Sequence, residues 1–87
     1  MRKLFYPAIF HIAEEGGFWV TFPDFPECMT QGDDMQEAYE MAVDALGLEL
    51  VTLKQEKRKI PKPSELHQVT VDEKSDRETI VVLSIDV

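Results

Sequence analysis

The residues able to do chemistry are few and scattered. His11 lies between Phe10 and Ile12, and His67 has no cysteine or second histidine close by. A metal-binding histidine needs partners at ligand spacing, and neither histidine has one. His11 therefore reads as a histidine on the less buried face of a strand. Asp24, Asp33 and Asp34 are carboxylates able to hold a divalent cation for phosphoryl transfer. The simpler reading gives Asp24 to an Asx-turn and Asp34 to a helix N-cap. No Lys or Arg stands near them in sequence to clamp a phosphate. Cys28 has no basic neighbour to lower its pKa, so a buried, inert thiol is expected. As the single cysteine, it excludes an internal disulfide and a cysteine-based zinc site. A reducing cytoplasm is then the expected compartment. Lys54, Lys57, Arg58, Lys59 and Lys62 form the one basic cluster. It complements the negative end of a helix rather than a nucleic acid. No Gly-rich phosphate loop, nucleophile elbow or His-Glu metal motif occurs. The residues thus predict a non-enzyme with no catalytic group, no metal and no cofactor.

Charge says more. Nine Lys and Arg stand against seventeen Asp and Glu, a net charge of −8. Between Lys3 and Lys54 there is no base, but there are ten acids: Glu14, Glu15, Asp24, Glu27, Asp33, Asp34, Glu37, Glu40, Asp44 and Glu49. Such a stretch repels phosphate and suits a basic protein partner. No apolar run reaches the ~20 residues of a membrane span, and no membrane association is expected.

The elements that must position these residues are legible from periodicity. The 87 residues are enough for one domain. Residues 4–13 alternate as a strand, apolar on both faces, with Pro7 expected at a bulge or opposite a gap in pairing. Glu14-Glu15-Gly16-Gly17 reads as a hairpin turn. Phe18 to Phe22 is the return strand, and two prolines around Asp24 end it. A third strand is predicted over Glu27 to Gln31. Asp34 as N-cap, with Glu37 as its capping-box partner, opens a helix from Met35 to Glu56. Its core stripe reads Met35, Ala38, Tyr39, Ala42, Leu46, Leu50 and Leu53. A second row, Met41, Ala45 and Leu48, widens the apolar arc. Ser64 is expected to cap a turn over Glu65, Leu66 and His67, and Val69 and Val71 to form a weak strand. Ile80 to Val87 reads as the last strand. The predicted class is α+β: β-β-β-α-β, one mixed sheet in the order 3-2-1-4, with the long helix on one face. A right-handed crossover would set the last strand parallel to the first. The opposite sheet face, carrying Trp19, would be uncovered. That face and the wide helix arc predict a homodimer or higher oligomer.

One ordered set of short pieces runs along most of the chain: Tyr6-Pro7-Ala8-Ile9, then Gly17 with Trp19-Val20-Thr21-Phe22-Pro23-Asp24-Phe25-Pro26-Glu27-Cys28. Thr30-Gln31-Gly32-Asp33 follows, then Glu37-Ala38, Ala42 and Ala45-Leu46, and the Pro61-Lys62-Pro63-Ser64 linker. In order and spacing these pieces resemble the HicB family of antitoxins. The resemblance implies a partial ribonuclease-H-like fold. It also implies an antitoxin of a type II toxin–antitoxin system, which covers a small basic HicA-like ribonuclease and blocks its catalytic histidine. Many such antitoxins add a DNA-binding C-terminal domain. The sequence stops at Val87, just after the last strand, so either a short form or a fragment of a longer antitoxin is expected, with one HicB-like domain over residues 1–87 and DNA binding unexpected for this chain. Acidity fits the implied partner, because a ribonuclease must be basic to hold RNA. Partner contacts are expected at Phe22, Asp24, Phe25 and Glu27 of the turn, and at Asp33, Asp34 and Glu37 of the helix start. Two alternatives stand beside this reading. One is an orphan oligomeric HicB-like protein without a toxin. The other is a residual metal-dependent ribonuclease using Asp24 with Asp33 or Asp34.

Overall fold

A computed structural model describes residues 3–65, 68–69 and 78–86. The elements are β1 (Lys3–Ile12), β2 (Phe18–Thr21), β3 (Met29–Gly32), α1 (Met35–Gln55) and β4 (Glu78–Asp86). The four strands form one sheet in the order β3-β2-β1-β4, as the sequence predicts. Gly16 and Gly17 take φ of 99° and 78° in the β1–β2 turn, which L side chains resist. Pro7 shows no bulge: β1 pairs with β4 in unbroken register from Lys3↔Asp86 to His11↔Glu78. Its missing N–H falls where β1 has one neighbour only, since pairing with β2 runs from Ile9 to Ile12.

One expectation is overturned. The sheet is antiparallel throughout, not mixed, because β4 runs against β1. The chain leaving α1 is fastened near the start of β1: the Tyr6 hydroxyl donates to the Pro61 carbonyl at 2.7 Å. Ser64 is tied to Asp24, whose neighbour Phe25 packs edge-on against Tyr6 with centroids 5.0 Å apart. Glu78 then pairs with His11 at the far end of β1. The fourteen steps from Ser64 to Glu78 reach up to about 46 Å. That exceeds the ~30 Å length of the paired strand. The crossover rule governs direct returns to a parallel strand. This connection is long enough to run back first. Ser64 bonds Asp24, and the Gln68 N–H closes a turn onto the Glu65 carbonyl at 2.9 Å; Leu66, His67 and Val71 lie outside the described residues, and Val69 belongs to no strand.

α1 lies on one sheet face, and the core forms between them. Tyr6, Ala8 and Phe10 of β1, Val20 of β2, and Leu83 and Ile85 of β4 meet Ala38, Ala42, Leu46, Leu50 and Leu53. Met35 and Tyr39, expected in this stripe, are 43% and 39% exposed. The helix start packs on edge strand β3 through Ala38, which is fully buried, and leaves Met35 and Tyr39 partly open to solvent. The capping box forms: the Glu37 backbone N–H donates to Asp34 Oδ1 at 2.8 Å, and Glu37 Oε1 accepts from the Asp33 N–H at 3.1 Å.

The helix ends in a Schellman-type turn. The Arg58 N–H reaches the Leu53 carbonyl at 2.9 Å and the Lys57 N–H reaches the Lys54 carbonyl at 3.1 Å. This requires the left-handed region, and Lys57 occupies it with φ 57°. A side chain there costs about 1–2 kcal/mol, part of which glycine returns through its freer unfolded chain. Lys57→Gly is expected to raise stability by about 0.5–1 kcal/mol and the Tm by about 2–8 °C. Thermal unfolding checks this, and a lowered Tm contradicts it.

Candidate partner-binding surface

The turn after β2 does not present its aromatics. Phe22 and Phe25 are 2% and 1% exposed, within the core. Two successive turns fold the segment inward: the Phe25 N–H donates to the Phe22 carbonyl and the Cys28 N–H to the Phe25 carbonyl, both at 2.9 Å. The two prolines read as an exposed loop, but they shape a plug. Both residues are therefore withdrawn from the surface on which the sequence placed them. Asp24 is likewise engaged, as one end of a clasp. Its carboxylate accepts from the Ser64 N–H at 3.0 Å and the Ser64 hydroxyl at 2.5 Å. The clasp fastens the linker to the core plug, forty residues apart in sequence.

Glu27, Asp33, Asp34 and Glu37 are exposed. Glu27 lies beside Glu49, whose carboxyl is pushed up by desolvation and then by the hydrogen bond and charge of Glu27. The nearby Cys28 thiol is raised by burial first and by Glu49 and Glu27 next. It faces the Ala45 carbonyl at 4.0 Å. A thiol held protonated this way is a poor nucleophile. Asp33 and Asp34 spend part of their hydrogen bonding on the helix start, as above.

The exposed acids continue along α1. Glu37, Met41, Asp44, Leu48 and Val51 recur at helical spacing on its outward side, with Glu40 beside them. Met41, Leu48 and Val51 are 44%, 68% and 52% exposed. The outward helix face is thus an apolar ridge set among carboxylates, with no lysine or arginine before Lys54. The row Met41–Leu48 is visible in sequence as apolar breadth. Only the structure shows that it faces away from the sheet. Carboxylates flank the ridge at Met41, whereas at Val51 it meets Lys54 and Lys62; its acidic part is a candidate docking surface for a partner of opposite sign.

Among the described residues no three His, Cys, Asp or Glu side chains converge as metal ligands. Asp24 serves Ser64 and Asp34 serves its own helix, so the constellation needed by a residual metal-dependent ribonuclease is not assembled. His11 stands on the sheet face away from α1. Its ring stacks on Trp19 with centroids 3.7 Å apart and planes 10° apart. Its Nε2 lies 2.9 Å from Thr21 Oγ1, and its Nδ1 lies 3.5 Å from Glu78. Burial lowers its pKa, against the opposing pull of Glu78. It is a strand histidine on the less covered face, as expected. No described helix is long and apolar enough to cross a membrane.

An α+β domain whose carboxylates and exposed apolar side chains share one helix face presents a candidate surface for a protein partner. Comparison places it more closely. The family described as HicB_like antitoxin of bacterial toxin–antitoxin system matches residues 6–87, and the chain belongs to that family. It is 43% identical over 72 residues to Antitoxin HicB 1 of Photorhabdus laumondii, covering 83% of this chain and 46% of that protein. It is 42% identical over 62 residues to Antitoxin HicB of Escherichia coli K12, covering 71% and 45%. The chain thus spans a little under half the length of these curated relatives. A chain of the toxin–antitoxin complex from Streptococcus pneumoniae superposes with a TM-score of 0.84 at 26% identity, over 98% of this chain and 70% of that one. The N-terminal domain of Burkholderia pseudomallei antitoxin HicB shares the fold, with a TM-score of 0.81 at 18% identity over 97% of this chain and 100% of that one.

Proposed function

We propose that this chain is the toxin-binding module of an antitoxin, acting by occlusion of a small basic ribonuclease rather than by catalysis. The observation that carries the reading is the segregation of acids. A ribonuclease must present a basic surface to hold the phosphates of RNA. The outward face of α1 offers that surface carboxylates with an apolar ridge between them, so the two are steered together and RNA is displaced. Glu27, Asp33, Asp34 and Glu37 extend the acidic rim. Met41, Leu48 and Val51 supply the apolar centre that a purely electrostatic contact would lack. Family membership supports the same reading, and so does likeness to a chain of a toxin–antitoxin complex.

The test is direct. The chain is titrated with a small basic HicA-like ribonuclease, at low and at high salt, with RNA cleavage followed in parallel. Binding that silences cleavage and weakens about tenfold or more at high salt is expected. No binding at either salt refutes the proposal and leaves the toxin-free alternative.

A further inference from the structure

The C-terminal half of α1, the linker after it and the start of β1 enclose a groove of about 650 Å³, a size that suits a small-molecule site. Gly47, Leu50, Val51 and Lys54 line it at helical spacing. Leu4 and Tyr6 of β1 and the linker from Ile60 to Pro63 complete it. That linker is held in place before any ligand arrives. The Tyr6 hydroxyl donates to the Pro61 carbonyl at 2.7 Å, and the Ser64 N–H donates to Asp24 at 3.0 Å. Pro61 and Pro63 restrict its backbone further. A wall already ordered spares a ligand the cost of ordering it.

Gly47 is costly in a helix interior, where alanine would be more stable. Nothing in the packing requires it, since a Cβ there would meet no atom within 4 Å. Its effect is to leave the groove open beside the helix. Charge then selects the occupant. Lys54 and Lys62 stand exposed at the groove, and neither forms an ion pair with a described residue. None of the ten acids between Lys3 and Lys54 lines it. Asp86 is the one acid there, and strand alternation sets it with Lys3 on the opposite sheet face from Leu4 and Tyr6. A basic protein would meet two like charges here, and a phosphate-rich polymer would leave the apolar lining unfilled. A ligand with one anionic head and an apolar tail satisfies both features.

We propose that this groove binds a straight-chain fatty carboxylate, its head at Lys54 and Lys62 and its tail along Leu50, Val51 and the open flank of Gly47. Gly47 and Lys54 are two helical turns apart, about 10 Å along the axis, which seats a chain of medium length. Both lysines are solvated, so the head contributes modestly and the tail supplies most of the affinity. The expected Kd for decanoate is on the order of 100 μM. The site lies at the basic end of the helix whose acidic part faces the proposed toxin. The two surfaces therefore select ligands of opposite charge.

Octanoate, decanoate and octanol, each below the concentration at which it aggregates, are titrated into the chain alone, with backbone amide NMR shifts as the readout. Saturable binding is expected, with shifts centred on Gly47, Leu50, Val51 and Lys62. Decanoate should bind about 3–15-fold more tightly than octanoate, because it buries two more methylenes. Octanoate should bind at least about threefold more tightly than octanol, and Lys54→Gln with Lys62→Gln should remove that preference while leaving octanol binding unchanged. Gly47→Leu fills the groove and should weaken decanoate at least about tenfold without lowering the Tm, leucine being a good helix former. The absence of saturable binding overturns the proposal. So do shifts centred on Phe5, Trp19 and Val82 of the open sheet face, a head preference that survives the lysine substitutions, or decanoate binding that Gly47→Leu leaves intact. Self-association of the chain that Gly47→Leu abolishes gives the groove to a second copy and overturns it equally. No toxin enters the experiment, so its outcome is separate from that of the toxin-binding proposal.

Discussion

Gly32→Ala is expected to leave the domain largely unfolded. Gly32 ends β3 and lies directly against the first turn of α1. A Cβ there would sit 2.3 Å from the Ala38 nitrogen, 2.6 Å from its Cα and 2.8 Å from the Glu37 carbonyl carbon. All three are backbone atoms, so no rotamer change relieves the clash. Neither side can give way easily. Gly32 is fixed by its pairing with Phe18, and the helix start is fixed by the Asp34–Glu37 capping box. Moving α1 off the sheet would open the contacts of Ala38 and Ala42, both fully buried. The expected loss is above about 3 kcal/mol, the range of severe overpacking. A domain of this size has little more than about 5 kcal/mol in total. Gly47→Ala is the control. Its Cβ would meet nothing within 4 Å, so helix propensity alone should stabilise the domain by about 0.5–1 kcal/mol. Thermal unfolding of the two variants should therefore diverge in sign. A Gly32→Ala protein melting within a few degrees of the parent would contradict the packing described here.

The second large effect concerns binding. Glu40→Lys combined with Asp44→Lys is expected to weaken toxin binding at low salt by about 10–100-fold, chiefly through slower association. Both carboxylates are exposed on the outward face of α1, beside Met41 and Leu48. Neither shapes the fold: Glu40 accepts one exposed hydrogen bond from Gln36 at 3.3 Å, so stability should change by no more than about 1 kcal/mol. High salt should bring parent and variant together, because screening removes the field that separates them. Glu14→Lys with Glu15→Lys makes the same change in net charge at the β1–β2 turn. If that pair costs as much affinity as the helix pair, overall charge and not the helix face governs recognition.

Much of this structure can be read from neighbouring residues. The β1–β2 hairpin is written in Glu14-Glu15-Gly16-Gly17, and the helix start in Asp34 and Glu37. Their determinants lie within a few positions of each other, where chain connectivity already holds the groups together. Leu46, Leu50 and Leu53 are legible as core for the same reason, since helical spacing aligns them before any sheet arrives. Phe22 and Phe25 are not. Their burial depends on two consecutive turns closing over Tyr6, and a proline-rich segment reads equally well as an exposed loop. Met35 and Tyr39 satisfy the helical pattern but stay partly exposed, which no periodicity records. On the candidate surface, the acids are plain in the sequence, whereas the outward aim of Met41, Leu48 and Val51 is not.

By its sequence alone this protein is a small acidic α+β domain of predicted strand order, with no lysine or arginine between Lys3 and Lys54 and a HicB-like pattern over most of its length. Those properties follow from composition, alternation and local capping. Tertiary structure decided the rest: the antiparallel course of β4, the Asp24–Ser64 clasp, and which apolar residues face solvent. Each depends on contacts between residues far apart in the chain. The Asp24–Ser64 bonds join positions forty residues apart, and β4 is directed by where the linker is fastened rather than by anything within β4 itself. Such contacts are selected by the free energy of the whole packed core, and no local pattern carries that information.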